Sequence, residues 1–503
     1  MRGTSRLLAA YLALSAPLAL VACSDSTADS NGATTSPSVD AADSVGATDS
    51  GSASDTGSGS DTGSGSDTGS GSDAGAESDA AAVSDSGAQT DVAAASDTAS
   101  ANDTASATDT ASATDTASAT DTAPATDTAS ASDTASASDI VIPPSPNPPP
   151  GAWGPHTVGS RIFNWFDASR SRAVTTRLWY PISETSGETA VYFDAFVFKV
   201  EGKAIKKGSA TGGPWPLVLF SHGFKGINWQ SYSYTEYLAS HGYIVAAPDH
   251  AGNTLTDAMA TKETESKSAL ERPIDLAFAY SEVVKLNNTP GTDLYQRFDL
   301  DHVAATGHSF GGYTALVAAG ATVDVDTAKV ACKTASNMLC KGGYMDYWPD
   351  GATIKLEKAI PGLKTFICLA PGFDVAFAPD GLKTITTPGL IMGGTLDSTT
   401  PIATDIEPIW NGLPSPKAKL IVTGASHMSF TDICGLPIVM AISQLQEMCV
   451  KPDLVDVKKG FAVVNSYAVA WLNRWLKDDL AMVPLLAGLA ATLPEANWQS
   501  TGL

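Results

Sequence analysis

Between Ser24 and Asp139 the chain has no aromatic residue and neither Lys nor Arg. A stretch so composed cannot bury enough apolar surface to offset the entropy of ordering it, which excludes a packed domain there. What fills it is Ala, Ser, Thr, Asp and Gly, in Gly-Ser-Asp-Thr repeats passing into Ala-Thr-Asp-Thr-Ala-Ser repeats, so it reads as a disordered, self-repelling tether. The Gly-Ser-Asp units also lack the apolar residue that calcium-binding repeats stack inward. Long apolar runs are scarce too. Leu7 to Ala22, behind Arg2 and Arg6 and broken by Pro17, is too short to span a bilayer and reads as a signal peptide over residues 1–22. No Cys-x-x-Cys is present, which in an exported chain turns the cysteines toward disulfides and away from zinc. The formal charge of -24 belongs mainly to the tether, which holds 20 Asp and one Glu. Beyond the signal and outside the tether, 33 acidic residues face 28 basic ones, a balance of only -5, which argues against a nucleic-acid partner.

Leu20-Val21-Ala22-Cys23 resembles a bacterial lipobox. The resemblance implies a lipid anchor on Cys23 and, since Ser24 follows and not aspartate, the outer membrane of a diderm. Residues 23–150 are then the linker, closed by a stiff proline-rich collar from Pro143 to Pro150, and 151–503 the folded domain. Short continuous apolar runs mark strands buried on both faces at Leu217–Phe220, Gly242–Ala247, Thr365–Leu369, Gly389–Met392 and Lys419–Val422, behind an opening pair at Arg161–Phe166 and Val174–Tyr180. Helices are expected at Ser231–Ser240, at Pro273–Leu286 with proline in its first turn, and at Phe461–Leu476. This alternation predicts an α/β fold with a mostly parallel sheet covered by helices on both faces. An insertion at about 323–363 carries Tyr344, Met345, Tyr347 and Trp348, and reads equally as a lid, an acyl-binding wall or a surface excursion. Cys332 with Cys340 and Cys434 with Cys449 would each close a short loop, leaving Cys368 as a buried free thiol.

The chemistry centres on Val303-Ala304-Ala305-Thr306-Gly307-His308-Ser309-Phe310-Gly311-Gly312. A β-prone run ends in Gly-x-Ser-x-Gly and a helix-competent segment follows, the order that a nucleophile elbow requires. A serine hydroxyl is a weak nucleophile and needs a base, itself oriented by a carboxylate. On such a fold the chain order is Ser, acid, His. Of the seven histidines only His427 follows Ser309. Two aspartates stand at strand ends between them. Asp397 is the first choice, because Gly393-Gly394 lets the backbone bend around it, and Asp374 is the alternative acid. The oxyanion donors are expected to be the N–H groups of Phe310 and of Phe224, the latter in the turn Ser221-His222-Gly223-Phe224, where His222 is read as scaffold.

Phe220–Phe224, Leu238–Ala247, Gly307–Gly312 and Ser426–Asp432 together resemble the platelet-activating-factor acetylhydrolase and dienelactone-hydrolase-like branch of the α/β-hydrolases, with cutinase-like bacterial polyester hydrolases as close relatives. The resemblance runs from about Arg177 to Asp432. It implies an eight-stranded sheet and hydrolysis of small-molecule, lipid or polyester carboxylic esters. No metal or organic cofactor is implied. Three departures stand out. Dienelactone hydrolases use cysteine where Ser309 stands, the acetylhydrolases take their acid after the earlier strand, which keeps Asp374 open, and cutinase-like enzymes usually lack so long an insertion. An inactive hydrolase scaffold used for binding or adhesion, and an acyltransferase, are the rival functions.

Overall fold

The computed structural model describes residues 144–503, apart from 148, 196–197, 258, 336, 438, 440–442 and 491–492. The signal segment, Cys23 and the tether lie outside the described residues. The strands are β1 (Thr157–Asp167), β2 (Arg172–Ile182), β3 (Thr189–Ala195), β4 (Phe198–Lys206), β5 (Trp215–Ser221), β6 (Ile244–Pro248), β7 (Phe298–His308), β8 (Val323–Asp324), β9 (Thr353–Ile354), β10 (Leu363–Leu369), β11 (Gly389–Gly394), β12 (Lys417–Val422) and β13 (Ala496–Thr501). Eleven of them form one sheet in the order β13-β12-β11-β10-β7-β5-β6-β2-β1-β4-β3. From β12 to β6 every neighbouring pair is parallel. The flanks are mixed: β13, β2, and the β1–β2 and β3–β4 pairs run antiparallel to their neighbours, and β1–β4 is parallel.

The sheet is therefore larger than the eight strands implied by the resemblance. The extra strands are edge material, half-exposed and alternating, as β13 shows with Ala496 and Trp498 turned inward between exposed polar residues. Continuous apolar runs, by contrast, mark only strands with both faces covered. In β5, Leu217 and Leu219 enter one core while Val218 and Phe220 enter the other. That is the period-two alternation of a strand between two helical layers.

One layer contains α1 (Tyr232–Ser240) and, far along the chain, a second helix at Val457–Leu476 that Asp456 caps through the N–H groups of Lys458 and Lys459. The other holds α2 (Lys262–Asn287), α3 (Phe310–Ala318) and α4 (Val325–Ala331). Helix α2 corrects the expectation of a start at Pro273. It begins eleven residues earlier, where the Thr261 side chain accepts the Thr264 N–H and Glu263 and Glu265 occupy the positive end of the helix dipole. Pro273 thus sits inside the helix and cannot bond the Ala269 carbonyl. The Tyr313 hydroxyl, from α3, donates to that carbonyl at 3.3 Å in its place.

The insertion is a built structure. β8 and β9 pair antiparallel at its base, Cys332 and Cys340 form a disulfide, and Tyr344, Met345 and Trp348 are buried. Cys434 is joined to Cys449, and Cys368 is a buried free thiol.

Candidate active site

Strand β7 and helix α3 meet at Ser309, whose backbone has φ 56° and ψ -117°, a conformation that L-residues adopt only when their surroundings impose it. The surroundings are tight. A Cβ on Gly307 would fall 2.3 Å from the Gly311 carbonyl oxygen, and one on Gly311 would fall 1.9 Å from that of Ser221. The turn is pinned by the Ser309 N–H, which donates to the Leu369 carbonyl at 2.8 Å. Phe310 opens α3, so its N–H is among the first four that have no acceptor within the helix.

His427 lies in the 3-10 turn after β12, which a reciprocal bond pair between Ser426 and Ser429 caps. Its Nδ1–H donates to Asp397 Oδ2 at 2.9 Å. That proton placement leaves Nε2 as the basic nitrogen. Asp397 is saturated with donors: Thr399 N–H and Thr400 N–H reach Oδ1 at 2.8 Å each, and the Thr400 hydroxyl reaches Oδ2 at 2.8 Å. Burial alone would raise its pKa, but the attraction of His427 and these hydrogen bonds outweigh it and hold the carboxyl below the usual aspartate range.

Asp374 is placed differently. It starts the turn after β10 and accepts a hydrogen bond from Asn337 Nδ2 of the insertion at 3.1 Å, and burial raises its pKa. The structure therefore brings Asp397, not Asp374, to His427. Ser309 Oγ makes no hydrogen bond to His427 among the described residues. Contacts of this kind are often long in a free enzyme. The elbow and the histidine turn are joined one residue away, through His308.

His308 and Gln230 are the residues that reading the sequence missed. His308 Nε2–H donates to the His427 carbonyl at 2.9 Å, and Gln230 Nε2 donates to His308 Nδ1 at 2.9 Å. Gln230 Oε1 in turn accepts the Gly223 N–H at 3.0 Å. Burial, with His427 beside it, pushes the His308 pKa down to about 3, so the ring is neutral with one donor and one acceptor. Two side chains thus join the loop before Phe224, the elbow and the turn of His427. Nothing local in the sequence signals this, since the four partners lie at positions 223, 230, 308 and 427.

A second braced layer lies behind the Ser221–Phe224 loop. Arg272, fully buried, donates to Asn253 Oδ1 at 2.9 Å, to Ser221 Oγ at 3.2 Å and to the His222 carbonyl, and stacks on the Phe310 ring at 4.5 Å. Ser221 Oγ donates to His250 Nε2 at 2.9 Å, and His250 Nδ1 donates to Asp275 Oδ2 at 3.0 Å. All three of these residues are shut away from solvent, so this second Ser-His-Asp string is structural. His222 is scaffold too: its Nδ1 bonds the Gly223 carbonyl at 2.8 Å and its Nε2 accepts the His250 N–H at 3.1 Å. In front of the elbow a cleft of about 270 Å³, part of it open to solvent, is lined by Ser309, Phe310, Phe373, Asn337, Thr399 and Asp405 among others.

Residues 205–335 match the family model described as Chlorophyllase. Cutinase 1 of Thermobifida cellulosilytica is 24% identical over 264 residues, which cover 52% of this chain and 69% of that protein. For a cutinase of Thermobifida fusca the identity is also 24% over 264 residues, and the match spans 60% of its length, less than two thirds. The bis(hydroxyethyl) terephthalate hydrolase of Streptomyces coelicolor is 26% identical over 132 residues, 26% of this chain and 32% of that enzyme. A mostly parallel, helix-covered sheet with an elbow serine, together with these likenesses, defines the class: the chain is a carboxylic ester hydrolase. Within that class it is similar to cutinases over about half its length.

Proposed function

We propose that the chain is a serine esterase of the cell envelope that cleaves its substrate through an acyl-enzyme, with Ser309, His427 and Asp397 as the triad. The observation that carries this reading is the His427–Asp397 hydrogen bond of 2.9 Å on a turn tied through His308 to the elbow. Ser309 Oγ attacks the ester carbonyl carbon while His427 Nε2 takes its proton, and Asp397 stabilises the resulting imidazolium. The N–H groups of Phe310 and Phe224 receive the oxyanion. His427 returns the proton to the departing alcohol, then activates the water that releases the acid.

The cutinases and the terephthalate hydrolase above support carboxylic esters, polyesters included, as the substrate class. Residues 1–22 as signal, a lipidated Cys23 and a tether to residue 150 would hold the catalytic domain, 151–503, at the outer membrane or cell surface. Cys23→Ala would then move the enzyme to the soluble fraction. A fluorophosphonate should label the wild type and not Ser309→Ala, and the same variant should lose nitrophenyl ester turnover. Persistent labelling of Ser309→Ala would refute the triad.

A further inference from the structure

A second pocket, of about 260 Å³ and partly open to solvent, adjoins the cleft in front of Ser309 and shares the rings of Phe310 and Phe373 with it. These rings meet edge to face, with centroids 4.7 Å apart. Phe224 completes this side of the pocket, so both residues proposed as oxyanion donors line it. The rest of the lining is Leu339, Tyr344 and Trp348, all from the insertion, and Glu265, Ser266 and Ala269 on α2, with the Tyr344 ring edge to face on Phe224 at 5.9 Å.

The insertion is held against α2 by two hydrogen bonds. Ser266 Oγ donates to the Tyr344 carbonyl, and Trp348 Nε1 donates to the Ser266 carbonyl at 3.1 Å. The charged lining residue, Glu265, is paired with Lys225 at 2.6 Å. Ser266, Trp348 and Glu265 thus already have partners, and the surface left to meet a ligand is apolar. Ala269, Leu339 and Trp348 are the most deeply buried apolar members of the lining, each 2% exposed or less. Every lining residue but Phe224 is buried, which suits a small occupant.

We propose that the 323–363 insertion builds the acyl pocket of this esterase and restricts it to compact, uncharged acyl groups. The assignment rests on the serine-esterase reading above. The acyl carbonyl must lie against the oxyanion donors, so the chain attached to it extends into the space beside Phe224 and Phe310. The cleft on the Ser309 side, with Asn337, Thr399 and Asp405, is the polar one and is left to the alcohol.

The test measures kcat/KM of the full-length chain for nitrophenyl acetate, butyrate and octanoate, with two variants that act in opposite directions. Wild type should favour acetate and butyrate over octanoate. Leu339→Ala, which enlarges the pocket, should raise the octanoate-to-acetate ratio by roughly tenfold, and Ala269→Leu, which fills it, should lower the butyrate-to-acetate ratio by roughly tenfold. A variant that merely folds less well lowers all three esters together, so the ratios separate specificity from stability. Ratios within about twofold of wild type in both variants, or a wild type that favours octanoate, would overturn the pocket assignment while leaving the esterase standing. A wild type inert on all three esters would overturn the esterase reading itself.

Discussion

Asp397 and Asp374 are chemically identical and both end up near the elbow, Asp397 buried and Asp374 half-buried, yet their partners differ. Asp397 accepts from three N–H groups, counting the imidazole, and a hydroxyl, whereas Asp374 meets the amide of Asn337. Asp397→Asn should therefore lower kcat by about 10³–10⁴-fold, since an amide cannot hold His427 in the tautomer with a free Nε2. Asp374→Asn should stay near wild type in the same assay. Asp405 offers a pH-dependent test. Burial, assisted by the charges of Asp374 and Asp397, raises its pKa to about 7. The folded state thus keeps a proton that the unfolded chain releases near pH 4. The stability this contributes is complete below about pH 4 and is lost as pH rises through about 7. Asp405→Asn cannot ionise, so it should gain on wild type between these limits, by about 4 kcal/mol in urea unfolding at pH 8 relative to pH 4.

At the level of elements, legibility followed exposure and distance along the chain. The strands between β12 and β6 announce themselves as continuous apolar runs because both faces are covered. β3, β4 and β13 lie at or near the sheet margins and carry a weaker alternation, so they were not anticipated. Pro273 read as the first turn of a helix because that is where proline is usually tolerated, but α2 runs through it. The compensating hydroxyl comes from Tyr313, forty residues further on, and no local pattern reveals it. Tyr313→Phe removes this donor and leaves the Ala269 carbonyl buried without a partner. It should lower stability by about 1–2 kcal/mol in urea unfolding. Ser309 and His427, by contrast, are candidates that the chain itself singles out, through the glycines around Ser309 and the one histidine that follows it.

Across the whole molecule, three distant segments converge on one hydrogen-bonded junction. Gln230 reaches Gly223 on one side and His308 on the other, and His308 reaches the His427 carbonyl. Gln230→Ala should cost about 1–3 kcal/mol in unfolding free energy, because a buried N–H and a ring nitrogen lose their partner. By shifting the oxyanion loop and the histidine turn relative to each other, it should also lower kcat by roughly 10²-fold with a much smaller change in KM. An equal loss in a variant that leaves both loops connected would show that the junction does not position them.

The Ser221–His250–Asp275 string has its own consequence for anyone counting active centres. On the proposed triad, a reagent selective for activated serines should be consumed at one equivalent per chain, although the described residues also hold the buried Ser221–His250–Asp275 string. Activation without access is chemically silent, and stoichiometry will distinguish the wet centre from the dry one.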